Sequence, residues 1–263
     1  LIQAANFDGK AYIQDGDAAG FSSNGYQDDP MTLAAWIFPT AVTGSILSKS
    51  QDVTEPEGYG FQLKDGKLQF NYVDSWFDDG IRIETENAVS LNQWHQVTAV
   101  YDGGRYAANV KLYVDGQLWK HKTLLDDINN SKPLKREPLR IGAGGGPQNR
   151  FRGNIEDVRI YKRALPADQV AVLADATPVN EIAAMPEAQR SKARSDKLRD
   201  YFLENLAPAE IKTAYNQMLD TKAKRDAYDM TIPTVMVMEE MPTPRESHVL
   251  IRGEYNHPGD KVT

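Results

Sequence analysis

The sequence predicts a mainly β fold, a jelly-roll sandwich followed by a C-terminal helical hairpin and an extended tail. Residues 91–119 alternate like strands about a glycine turn: Trp94, Gln96, Thr98 and Val100 point one way, His95, Val97, Ala99 and Tyr101 the other. Asp-Gly pairs recur between short apolar runs, at Asp8 and Gly9, Asp65 and Gly66, and Asp115 and Gly116, where the chain needs the positive φ of a tight hairpin. After Tyr161 the period-two pattern stops and helical spacing begins.

Taken in order, residues 2–15 read as a strand, a turn at Asp8 and Gly9, and a short second strand. A polar stretch closing at Asp28, Asp29 and Pro30 follows. Residues 31–38, MTLAAWIF, are apolar enough for a buried strand, and Pro39 ends it. Residues 45–49 are another short strand, and 59–63 and 67–73 form a hairpin about Asp65 and Gly66. A loop over 74–80 leads to a strand at 81–85. Beyond the central meander come a charged loop over 126–137, a strand at 138–142, a Gly-rich turn and a strand at 151–161. Many short strands with turn signals between them indicate a sandwich.

Residues 165–174 then form a short amphipathic helix, with Pro166 suited to its first turn. A second helix starts after Pro178 and runs to Asn205, broken at Pro186. A third runs from Pro208 to about Asp229. Only Leu206 and Ala207 separate these two, so they form an antiparallel hairpin. From Ile232 the chain is extended again. The domains are therefore 1–175, the sandwich; 176–230, the hairpin or linker; and 231–263, the start of a following domain.

A chain of 263 residues buries a core without disulfides, and it has no cysteine, hence no thiolate zinc site and no haem attachment of the Cys-x-x-Cys-His kind. A net charge of −7 argues against a phosphate-binding surface, so nucleic acid is not an expected partner. No apolar run is long enough to cross a bilayer. The chain opens inside a strand with no signal peptide and reads as an excerpt of a larger protein.

An ordered set of motifs carries a resemblance. Phe7, Asp8 and Gly9 come first, then Leu33 to Ile37 with Pro39, and Ile46 to Lys49. Tyr59 and Gly60 follow, then Trp94 to Val97 through Tyr101, Asp102 and Gly103, and Lys111 to Gly116. Leu139 to Gly142 and Gly153 to Tyr161 complete it, with Arg163 to Leu165 behind. Residues 5–174 resemble a laminin G-like domain of the concanavalin A-like jelly-roll class, except that the last strand has Ile155, Glu156, Asp157 where Ile-Asp-Glu is usual. Residues 231–255 resemble the opening of the C-terminal domain of large multidomain planctomycetal cytochrome-type proteins. That resemblance implies a periplasmic, cell-surface or secreted parent whose haem lies outside this chain.

In calcium-bearing relatives a carboxylate from the first strand and one from the last hold a structural ion, which implies Asp8, Glu156 and Asp157 as ligands for Ca2+. The plain alternative is an Asp-Gly turn and a solvated acidic pair. Trp76 and Phe77, set among Asp74, Asp78 and Arg82, offer an apolar surface with polar groups around it, as a sugar requires. Trp119, Arg105, Arg150 and Arg152 are further candidates for binding a polysaccharide or its acidic groups. Trp36 and Trp94 read as core. No Glu-x-Asp-x-x-Glu strand is present, Glu84 and Glu86 lack a third carboxylate, and no Ser or Cys stands out beside a His. The expectation is a non-catalytic carbohydrate-binding module, with a protein-interaction or spacer domain as the alternative.

Overall fold

The computed structural model describes residues 4–16, 29–128, 137–229, 231–232, 246–253 and 257–262. The strands are β1 (Ala5–Asp8), β2 (Ile13–Asp15), β3 (Met31–Pro39), β4 (Gly44–Ser50), β5 (Gly58–Lys64), β6 (Lys67–Ser75), β7 (Asp79–Ala88), β8 (His95–Tyr101), β9 (Val110–Val114), β10 (Gln117–Trp119), β11 (His121–Asp127), β12 (Leu139–Ile141) and β13 (Arg152–Tyr161). They form a six-stranded sheet, β1-β13-β3-β8-β9-β10, and a seven-stranded sheet, β11-β7-β6-β5-β4-β12-β2. Every pairing within them is antiparallel.

The core lies between the sheets because alternate residues turn inward. Leu33, Ala35 and Ile37 with Val97, Ala99 and Tyr101 come from one sheet, Tyr59, Phe61, Phe70, Tyr72, Ile81 and Ile83 from the other, and all are buried. On the outer side of the six-stranded sheet, helix α1 (Ala167–Ala174) sets Val170, with Leu165 before it, against Val100 and Tyr113.

The hairpin geometry follows from a few side chains. Asp115 (φ 52) and Gly116 (φ 74) both take the left-handed region between β9 and β10. There the Asp115 carboxylate accepts the Gln96 N–H at 2.9 Å through Oδ1 and the His95 Nδ1–H at 2.8 Å through Oδ2. The loop expected over 74–80 shrinks to Trp76, Phe77 and Asp78, because β6 runs on to Ser75 and β7 begins at Asp79. β11 likewise takes in Asp126 and Asp127, pairing with β7 where a loop was expected.

The break expected at Pro186 is present: α2 (Val179–Ala184) gives way to a short turn, then to α3 (Lys192–Tyr201) and a π-helical turn at Phe202–Leu206. α4 (Ala209–Asp229) buries none of its residues, so the two long helices do not close a core of their own. The reason is visible in the sequence: Tyr201, Phe202, Leu206, Ile211 and Met218 are too few to cover both faces, and all stay exposed. β14 (Ser247–Leu250) and β15 (Pro258–Val262) pair as an exposed ribbon, while the extended run expected from Ile232 lies, from residue 233 to 245, outside the described residues.

Replacing Asp115 by Ala strands the buried His95 ring and the Gln96 N–H, and is expected to cost about 1–3 kcal/mol in a denaturant titration. A chain ending at Asp175 is expected to keep its β-sheet circular dichroism and a cooperative melt, since the core is complete by α1. An insoluble or non-cooperative product would assign α2 and α3 to the sandwich.

Candidate functional site

The outer face of the seven-stranded sheet is polar and ordered. Its inward residues are aromatic and aliphatic, so by alternation Gly60 and Gln62 of β5, Gln69 and Asn71 of β6, and Arg82 and Glu84 of β7 turn outward. One cross-strand row runs Asn149 to Gln62 to Gln69 to Glu84. The Asn149 Nδ2–H donates to Gln62 Oε1 at 2.6 Å, Gln62 Nε2–H to Gln69 Oε1 at 3.0 Å, and Gln69 Nε2–H to Glu84 Oε2 at 2.9 Å. Lys67 and Lys122 close the row on Glu84 Oε1 at 3.2 and 2.7 Å. Burial of Glu84 opposes its charge, but the hydrogen bonds from Lys122, Gln69 and Lys67 outweigh it and hold the carboxyl below its usual value.

The neighbouring row is Ser48, Gly60, Asn71 and Arg82. Arg82 lays its guanidinium 3.7 Å from the centre of the Trp76 ring, and its Nε has no hydrogen-bond partner. Asn71 is buried, and its Oδ1 is without a partner as well. Between Ser48 and Asn71, Gly60 leaves open space: a Cβ there would meet nothing within 4 Å. A small pit beside it, about 10 Å³, is lined by Ser48, Pro56, Gly58, Gly60, Asn71 and Gly144 among others. The Gly-rich loop stays over it because Asn149 Nδ2 also donates to the Gly144 carbonyl at 2.8 Å and Ser48 Oγ to that of Ala143 at 2.7 Å.

The sequence-derived candidates separate in space. Asp74, Trp76, Phe77, Asp78 and Arg82 share the β6–β7 hairpin, where Phe77 is 75% exposed while Trp76 is half-buried under Arg82. Asp78 accepts a hydrogen bond from the Ser75 hydroxyl. Arg150 is committed to a two-point ion pair with Asp52 (2.8 and 2.5 Å), with its guanidinium over Tyr12; that hydrogen bond holds the Asp52 carboxyl low. Arg105 sits half-buried in a left-handed turn (φ 64) after β8, and Trp119 packs half-buried against the core. Arg152 is exposed opposite Asp8.

The implied calcium ligands do not converge. Register pairs Asp8 with Arg152 and Ala5 with Ile155, so Glu156 lies beyond the far end of β1, about 13 Å along the strand from Asp8 at the usual rise. Asp8 Oδ1 already accepts the N–H groups of Ala11 and Lys10, which holds its carboxyl below the usual carboxylate pKa and marks it as a turn cap. Asp157, at a β-bulge, faces Arg159 at 2.7 Å. Among the described residues no group of three His, Cys, Asp or Glu is placed to hold a metal. The residues present do not fit the ion.

Two corrections concern aromatic and catalytic-looking groups. Trp36 and Trp94, expected in the core, lie on the outer side of the six-stranded sheet, because Ala35, Ile37 and Val97 fill the inner positions. There they line a cleft of about 960 Å³ shared with Glu156, Tyr201, Tyr215 and Leu219 of the helical region. Ser90 Oγ lies 3.2 Å from His95 Nε2, in line with the His95 and Asp115 pair. The sequence hid this hydroxyl, imidazole and carboxylate because Asp115 reads there only as a turn residue. Asp115 also accepts the Gln96 N–H through its other oxygen, so the group braces the hairpin against the start of β8. The polar row had a visible signal that was missed: Gln62, Gln69 and Asn71 alternate with Phe61, Phe70 and Tyr72.

The family model described as the concanavalin A-like lectin/glucanases superfamily matches residues 7–171. Among solved structures, the K499G mutant of NanB sialidase from Streptococcus pneumoniae is 12% identical with a TM-score of 0.51, covering 66% of this chain and 27% of that one. This chain thus spans about a quarter of that sialidase. The CBM40 of the Ruminococcus gnavus IT-sialidase, bound to α2,3 sialyllactose, is 15% identical (TM-score 0.47, 63% of this chain, 96% of that). A SAP-like pentraxin from Limulus polyphemus is 18% identical (TM-score 0.44, 65% of this chain, 80% of that). At these identities the likeness is one of fold. No curated protein matches the sequence.

Because the folded-state Glu84 is more acidic than the unfolded one, its contribution to stability is complete above the unfolded value of about 4.3 and is lost as the pH falls through the lower folded value. Glu84→Gln is therefore expected to lower the melting temperature at neutral pH and to flatten its decline below about pH 4. Parallel acid melts of the parent and variant would contradict this.

Proposed function

The chain belongs to the concanavalin A-like lectin/glucanases superfamily over residues 7–171, and from that premise we propose that its sandwich is a non-catalytic carbohydrate-binding module of a larger exported protein. Fold alone does not assign a ligand, so the reading rests on the outer face of the seven-stranded sheet. The observation that carries it is the 75% exposed ring of Phe77 at the rim of an ordered polar surface. A sugar needs an apolar plate for its C–H face and fixed donors and acceptors for its hydroxyls, since the water it gives up must be replaced. Phe77 and the edge of Trp76 supply the plate. Gln62 and Gln69, held by cross-strand hydrogen bonds and therefore cheap to order, supply polar groups together with Asn71 and Arg82 in the next row.

Lys67 and Lys122 are both paired with Glu84 and Arg82 lies against the Trp76 ring, so the cations of the face are engaged within it, and the reading is of a neutral polysaccharide. In the parent protein the redox centre implied by the tail lies in other domains, and this sandwich localises it on a glycan.

A second reading, docking of a neighbouring domain, is favoured by the 960 Å³ cleft beneath the helices and by the exposed apolar residues of α4, Ile211, Met218 and Leu219. The two readings use opposite faces of the sandwich, so substitutions separate them.

Phe77→Ala is expected to weaken binding to a polysaccharide gel by about 1–2 kcal/mol with an unchanged denaturation midpoint, the pattern of an exposed hot spot. Trp76→Ala should weaken binding and also lose about 0.5–1 kcal/mol of stability, because it removes the ring under Arg82. A Phe77 variant retarded as strongly as the parent would move the plate elsewhere, and a parent retarded by no glycan would sink the carbohydrate reading.

A further inference from the structure

Three glycines turn outward on the seven-stranded sheet, and two have a structural reason. Gly58 has φ +117, and a Cβ there would stand 2.3 Å from the Lys49 carbonyl. At Gly80 a Cβ would press on the backbone of Tyr72 and Val73 at 2.8 Å. Gly60 has neither constraint: its φ is not in the left-handed region, and nothing lies within 4 Å of where its Cβ would be. A glycine inside a strand weakens the strand and often marks a place where a ligand comes close. Gly60 sits in the middle of the seven-stranded sheet, between Ser48 of β4 and Asn71 of β6.

The space above Gly60 leads into the 10 Å³ pit, which is the size of one water or one hydroxyl and far too small for a sugar ring. Its wall includes Asn71, 3% exposed, whose Oδ1 has no hydrogen-bond partner. A buried amide oxygen left unpaired is costly and calls for a donor. A hydroxyl is donor and acceptor at once and satisfies either orientation of that amide.

We propose that this pit is a specificity subsite that takes the exocyclic hydroxymethyl group of a hexopyranose, with its CH2 over Gly60 and its O–H donating to Asn71 Oδ1. The inference rests on the carbohydrate reading of the same face. Ring hydroxyls stand one bond from the ring and cannot reach in while the ring stays outside. The hydroxymethyl adds a rotatable carbon, which fills the volume a side chain at position 60 would have used. The module is thus selective for hexopyranose polymers with a free C6 hydroxyl over xylopyranose polymers, which lack that group.

Affinity electrophoresis of the full chain on a 1,4-linked hexopyranose polymer and on xylan, with cello- and xylo-oligosaccharides as soluble competitors, tests it. The parent is expected to bind the hexopyranose polymer about tenfold or more tighter than xylan, the scale of one lost buried hydrogen bond with its desolvation. Gly60→Ala places a methyl in the open space without strain; it should erase that preference at an unchanged melting temperature. Asn71→Ala keeps the room and removes the acceptor, and should reduce the preference even if the Gly60 variant folds poorly. Equal binding of the hexopyranose polymer and xylan, or a preference untouched in both variants, would leave the pit holding a water only and overturn the inference while the carbohydrate reading stood. Binding to no polymer would remove both.

Discussion

The carboxylate of Asp115 turns residues 91–119 from three strands into one unit. It stands at the left-handed corner of the β9–β10 turn and accepts hydrogen bonds from the Gln96 backbone and the His95 ring at the start of β8. Each bond alone is worth about 1 kcal/mol net, but leaving the buried imidazole and N–H unpaired would cost more than that, so the turn and the strand entry form together. Ser90 extends the brace to the loop before β8. With β8 held, β3 can pair along the whole of β8, from Met31↔Tyr101 to Ile37↔His95, and β13 then pairs with β3.

That register decides what faces out. Fixing His95, Val97 and Ala99 inward forces Gln96 and Thr98 outward, where Gln96 Nε2 donates to Thr98 Oγ1 at 2.8 Å. On the facing sheet the same alternation sends the aromatic residues of β5 and β6 inward and leaves their amides to one another. The result is a polar surface that is rigid without being closed. Its glutamines are held by residues on adjacent strands and by Asn149, and the remaining valences, Asn71 Oδ1 and Arg82 Nε, lie in adjacent strands at one level of the sheet. A binding face built on central strands rather than on loops loses little freedom when a ligand arrives.

The helical region obeys a different balance. α1 belongs to the sandwich through Val170, and α2 and α3 follow it by Ile182 and by the ion pair of Arg194 with Asp175. Beyond Tyr201 too few apolar residues remain to bury, and α4 stands off, leaving the cleft that Trp36 and Trp94 line. Tryptophan on the outer side of a sheet is costly to leave wet, and here part of the Trp94 surface is covered by Phe38, 5.7 Å away between ring centres.

What the sequence determined by itself is local. Asp-Gly corners, the meander, the helix after Pro166 and the break at Pro186 follow from the conformational needs of neighbouring residues, and a period of two or 3.6 is legible without knowing the partner strand. The sandwich itself was legible for the same reason, and so was an aromatic pair, Trp76 and Phe77, between two strands, though not that Phe77 is the exposed ring and Trp76 the half-buried one. Only the tertiary structure decided which side of each strand is inside, because alternation has two phases and the choice depends on the facing sheet; Trp36 and Trp94 were misread on that ground. It also decided distances along paired strands, which separate Asp8 from Glu156 and unite Ser90, His95 and Asp115, and whether a glycine such as Gly60 answers to backbone strain, to close packing or to empty space. Those are properties of register and of atoms far apart in the chain, and no short stretch of residues encodes them.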